Sequence, residues 1–153
     1  MAAGTWTLYK NAKKKLVAGD IDLDTNLFRM RIFKAQASAS VSVATLSLLS
    51  QIGTTNVGGT PAAPMSSYPL TGASVVGISA GFTGTWKWSV PTITVTASAT
   101  AGTSLQYAVI YNSLSALGGH LLAWCKLSTA AFTVTKGNTL QVTCPTNGIF
   151  TIY

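Results

Sequence analysis

Thr92-Ile93-Thr94-Val95-Thr96-Ala97 alternates strictly: Ile93, Val95 and Ala97 fall on one side and three threonines on the other. A period of two with β-branched residues describes a strand that buries one face and wets the other. The rhythm continues in both directions. Upstream are the short runs 75–78 and 86–88. Downstream, Leu105, Tyr107, Val109 and Tyr111 share one face, and the run 121–127 follows. Phe132 and Val134 precede a turn at Lys136-Gly137-Asn138. Leu140, Val142 and Cys144 alternate next, and after Asn147-Gly148 come Phe150 and Ile152. Short strands at regular spacing, punctuated by Gly and Asn, predict an all-β chain folded as an antiparallel β-sandwich, jelly-roll or immunoglobulin-like.

Ahead of this series, residues 5–18 read as one short N-terminal helix. Thr5 stands at the N-cap and Gly19 where a left-handed residue would end it. Trp6, Tyr9, Leu16 and Val17 fall on one face, with Lys10, Lys13, Lys14 and Lys15 around the rest. Ile21 and Leu23 then alternate with Asp20, Asp22 and Asp24. Phe28, Met30 and Ile32 alternate with Arg29, Arg31 and Phe33, a half-buried strand with a basic outer face. Between 35 and 69 the pattern weakens. Residues 37–43 fit a loop or an edge strand, Leu46, Leu49 and Ile52 have the spacing of a helical turn or two, and 53–69 is an irregular arm rich in Gly, Thr, Ala and Pro. With 153 residues the chain has room for one domain spanning 1–153.

Composition narrows the function. Hydrophobic residues make up 48% and charged residues 8%, against an average of about a quarter charged. A surface so lightly charged keeps neighbours apart poorly, which points to life in an assembly. The net charge is +7, and the only acids are Asp20, Asp22 and Asp24. Seven of the ten basic residues lie in the first 34 positions. The N-terminus lacks the basic and apolar regions of a signal peptide, and the run 46–52 is too short to span a bilayer. A protein made and used in a cytosol, without membrane contact, is expected.

No catalytic, cofactor or metal site is expected. A nucleophile needs a positioned base; His120 is the only histidine and reads as a turn or strand-start residue. The triplet Asp20, Asp22, Asp24 resembles the opening of a calcium loop, yet Thr25 and Arg31 stand where that loop needs Gly and Glu. A solvated face, or pairing with nearby Lys and Arg, is the better reading. Cys125 and Cys144 lack a second pair for zinc and read as core residues without a disulfide. Nucleic-acid binding has the basic stretches in its favour, but Tyr9, Phe28 and Phe33 lie on faces assigned to the core. Without exposed stacking residues only nonspecific phosphate contact remains. Docking on an acidic protein is preferred.

The order of motifs has a likeness of its own. A helix with Tyr9-Lys10-Asn11-Ala12-Lys13 leads to Gly19-Asp20-Ile21-Asp22-Leu23-Asp24-Thr25. Later come Trp88-Ser89 before Thr92-Ile93-Thr94-Val95, then Tyr107-Ala108-Val109-Ile110-Tyr111-Asn112, Leu121-Leu122-Ala123-Trp124 and a terminal Gly148-Ile149-Phe150. This resembles a family of small tailed-phage virion proteins that open with a helix and a G-x-I-D-L-D-T step, carry a W-S-x-x-T-I-T strand and end on G-I. The resemblance implies a virion location and a structural role, as a head decoration or cement protein that bridges capsomers, commonly as a dimer or trimer. Its partner would be the major capsid protein. Lys10, Lys13, Lys14, Lys15, Arg29 and Arg31 would then meet acidic capsid surface, and the arm would make contact through Asn56, Val57, Pro61, Pro64, Met65 and Tyr68. A neck, tail or baseplate component is the alternative, and a nonspecific nucleic-acid-binding protein the second.

Overall fold

The computed structural model describes residues 4–35, 41–54, 68–70, 74–77, 86–97, 102–113, 119–146 and 148–152. In chain order the elements are β1 (Thr7–Leu8), α1 (Lys10–Ala18), β2 (Phe28–Lys34), α2 (Ser50–Thr54), β3 (Tyr68–Pro69), β4 (Ser74–Gly77), β5 (Trp86–Ser89), β6 (Ile93–Thr96), β7 (Gly102–Asn112), β8 (Leu121–Lys126), β9 (Phe132–Val134), β10 (Thr139–Val142) and β11 (Phe150–Ile152). Every pairing among them is antiparallel. The expected class holds: an all-β, sandwich-like fold with a short N-terminal helix. The main sheet runs β1-β8-β7-β2-β3, with β9 joined to the start of β7; β4-β5-β11 form a second sheet and β6-β10 a pair.

β7 is the spine of the main sheet because the run 105–112 is apolar on both of its faces apart from Gln106 and Asn112. Every residue in it is buried. The expected face of Leu105, Tyr107, Val109 and Tyr111 is therefore matched by a second buried face. Gln106 is accommodated by donating its amide to the carbonyls of Ser128 and Thr129, and Asn112 by donating to Asn26 Oδ1. Register places Phe28, Met30 and Ile32 opposite Asn112, Ile110 and Ala108, on one face. Trp88 of the second sheet meets that face, its ring 5.0 Å from Phe28 and edge-on. Its indole N–H donates to the Leu23 carbonyl. On the other face Arg29, Arg31 and Phe33 oppose Tyr111, Val109 and Tyr107. Phe33 is fully buried there, so this face is partly covered rather than a solvated basic one. Gly119 stands between it and residues 41–54: Leu49 and Tyr111 atoms lie 3.4 and 3.9 Å from where a Cβ would sit.

Three expectations change. The helix begins at Lys10, not at Thr5, because Thr7 and Leu8 pair with Trp124 and Ala123 as β1. Tyr9, extended at φ −67° and ψ 146°, occupies the N-cap without a side-chain cap. The end is as read: Gly19 adopts φ 76° and its N–H reaches Leu16 and Lys15 carbonyls. The inward side of the helix is that of Ala12 and half-buried Leu16, which leaves Val17 outside the core at 91% exposure. Second, residues 21–24 form a turn instead of a strand. Asp22 Oδ1 accepts from the N–H groups of Asp24 and Thr25 at 2.9 and 3.1 Å, a local bond with which aspartate competes against regular structure. Ile21 and Leu23 are nonetheless buried. Third, the stretch 35–69 carries more structure than an arm: Val41 and Ile52 are buried, and Tyr68–Pro69 adds β3 to the edge of β2, while the expected helical turn is the short α2, which holds Ile52 but not Leu46 or Leu49. Residues 36–40 and 55–67 of the arm, with Asn56, Val57, Pro61, Pro64 and Met65, lie outside the described residues.

Candidate interaction surface

Tyr9 fixes α1 in place. Its N–H donates to the Leu122 carbonyl and its hydroxyl, fully buried, to the Val41 carbonyl at 2.8 Å. Burial pushes that hydroxyl far above the usual tyrosine range, so it remains a donor. Lys10 N–H and the Asn11 side-chain amide reach the carbonyls of Ala44 and Thr45. With Ala12 buried and Leu16 half-buried, the opposite side of the helix presents Lys10, Lys13, Lys14 and Val17. Spacings of three, four and seven put these four on one stripe. None of the three lysines has an acidic partner among the described residues. Lys15 differs: it is half-buried and pairs with Asp20 at 3.5 Å, an exposed bond worth about 0–1 kcal/mol.

The arginines belong to another part of the surface. α1 packs on β8, and β7 separates β8 from β2, a spacing of about 10 Å for two strand steps. Arg29 and Arg31 are half-buried, and the Arg31 guanidinium lies 6.0 Å over the Tyr111 ring. Their stems cover the sheet as much as their heads face water. Tyr9, Phe28 and Phe33, the aromatics interleaved with the basic stretches, are buried. Tyr68 pairs with Met30 through β3.

The structure brings one unexpected residue to the lysines. Asn11, Lys14, Lys15, Asp20, Ser47 and His120 line a cleft of about 350 Å³ between α1 and the segment before α2. His120 is carried there by its bridge to Leu48, and its backbone is held by Leu121 N–H on the Ser47 carbonyl and by Asn112 N–H on its own carbonyl. Its Nδ1 lies 3.3 Å from the Ser47 carbonyl. A carbonyl only accepts, so Nδ1 carries the hydrogen and Nε2 is left for other partners. His120 does sit at a strand start, as its sequence neighbourhood implied. Its meeting with Lys14 and Lys15, more than a hundred residues away, has no local signal.

The contact with Ser47 is through the carbonyl, while the Ser47 hydroxyl donates to Gln51 Oε1. Among the described residues no nucleophile–base pair is formed at His120. Among the described residues no three His, Cys, Asp or Glu side chains gather as a metal site. Cys125 and Cys144 are both free, Cys125 buried with its thiol pushed up to about 12 by desolvation. No helix among the described residues is long and apolar enough to cross a membrane. No family model matches the chain, and neither a curated protein nor a solved structure matches it.

Proposed function

We propose that this chain is a structural component of a tailed-phage virion, a head decoration or cement protein that docks on the major capsid protein and bridges capsomers. The observation that carries the reading is the stripe of Lys10, Lys13, Lys14 and Val17. Three cations without an acidic partner among the described residues flank an apolar side chain left 91% exposed, a mixture suited to covering by an acidic protein surface. The motif order of the sequence supports it. So do the free edges: β4 and β11 pair only with β5 among the described strands. Neither carries a charged side chain, so both lack the guard that keeps sheet edges from pairing with other chains. A homo-oligomer, dimer or trimer, fits such edges.

The test is co-sedimentation with capsid shells. Reversing the stripe (Lys10→Glu, Lys13→Glu and Lys14→Glu together) is expected to weaken shell binding at least about tenfold, chiefly through association rate, with folding intact by circular dichroism. Deleting residues 54–67 is expected to abolish binding while the domain stays folded. Retained binding in both variants contradicts the reading.

A further inference from the structure

We propose that the cleft between α1 and His120 is the seat of a carboxylate side chain from the acidic partner, with Lys14 Nζ and His120 Nε2 as its two donors. The inference rests on the reading that the α1 lysines face an acidic protein, and it names where on that surface the recognition is made. Two lysines face one carboxylate in the cleft. Lys15 is accounted for by Asp20 at 3.5 Å and by the negative end of its helix. Lys14 has no acidic partner among the described residues, and the His120 ring has only its Nδ1 contact with Ser47 among them.

The remaining donors set the chemistry of the ligand. With Nδ1–H on a carbonyl, the ring donates from Nε2 only as the imidazolium, so seating a carboxylate takes up one proton at His120. The charged groups facing the ring are Lys14 and Lys15 from α1 and Asp20 from the turn that follows it; Ser47 and Leu48 bring none. Lysine and imidazolium together offer one donor to each oxygen of a carboxylate. A nucleic-acid strand suits the cleft less well. No aromatic side chain lines it on which a base would stack. The occupant is an acidic peptide segment.

The chain's single histidine makes the experiment direct. The ¹⁵N signals of the His120 ring are followed in the full chain as a tetraglutamate peptide or inorganic phosphate is added. The expected result is a saturable shift with the peptide, the ring passing to its doubly protonated form. In Lys14→Gln the peptide affinity falls about tenfold, while the ring of the free protein is unchanged. Linear, unsaturating shifts shared by all lysines would reduce the cleft to charge screening and overturn the proposal. Tighter binding of phosphate than of peptide would overturn it in favour of a phosphate ligand. Shells separate this inference from its premise. A His120→Gln variant that co-sediments like wild type removes the cleft alone, whereas a wild-type chain that never co-sediments removes the decoration reading.

Discussion

Trp6 and Trp88 have similar burial but opposite bonding. Trp88 donates its indole N–H to Leu23 and packs between Phe28 and Phe150. Trp6 is 8% exposed, yet its N–H has no acceptor. Removing a donor that has no partner relieves a desolvation penalty, whereas removing one from a bonded pair leaves the carbonyl orphaned. Trp88→Phe is therefore expected to lower stability by about 1–3 kcal/mol, and Trp6→Phe by under about 1 kcal/mol, in urea denaturation of each variant. Equal losses would contradict this assignment. Trp6 was legible as a core candidate from its spacing with Tyr9, Leu16 and Val17, and Trp88 only as part of a short strand. Which one is satisfied was not, since the Leu23 acceptor lies 65 residues from Trp88.

The turn after α1 shows how an element is misread. Asp20, Asp22 and Asp24 alternating with Ile21 and Leu23 have the period of a strand, and the burial does alternate. Aspartate at that spacing, however, bonds its own backbone more readily than it pairs across a sheet. The N–H of Asp24, then the hydroxyl and N–H of Thr25, hold the Asp22 carboxyl below its ordinary range. With the folded value depressed, the turn's contribution is present above the ordinary aspartate range near pH ~4. It is lost as pH falls through the folded value. Asp22→Asn keeps an acceptor oxygen but not the charge, so its unfolding midpoint should fall less steeply than wild type between about pH 5 and pH 2. Identical acid slopes would show that Asp22 adds nothing. The start of α1 was hidden for a different reason. Trp6 and Tyr9 have helical spacing, but pairing of Thr7 and Leu8 with β8 prevails, and that partner is remote in sequence. β7, by contrast, was plain as a strand from the one face of Leu105, Tyr107, Val109 and Tyr111, although its second buried face was not read.

Across the whole molecule, a sandwich with few charges sets three lysines outward on one helix and, among the described strands, leaves the uncharged edges of β4 and β11 unpaired. The alternation of the last half made the fold class readable, since burial on one face imposes period two. The seven basic residues of the N-terminal third were readable as well, but not their division. Only the sheet order, with β7 between β8 and β2, places the α1 lysines apart from arginines that help cover a sheet. His120 joins the lysines through contacts made by the finished fold. The proposal that the chain covers a repeating shell rests on these features and on the order of motifs. The measurement that reaches this claim most directly is the copy number of the chain in purified native particles, by quantitative mass spectrometry against the major capsid protein. Icosahedral symmetry repeats every contact, so decoration predicts on the order of hundreds of copies per particle. About a dozen or fewer would place the chain in a neck or tail ring, and none would contradict the virion assignment altogether.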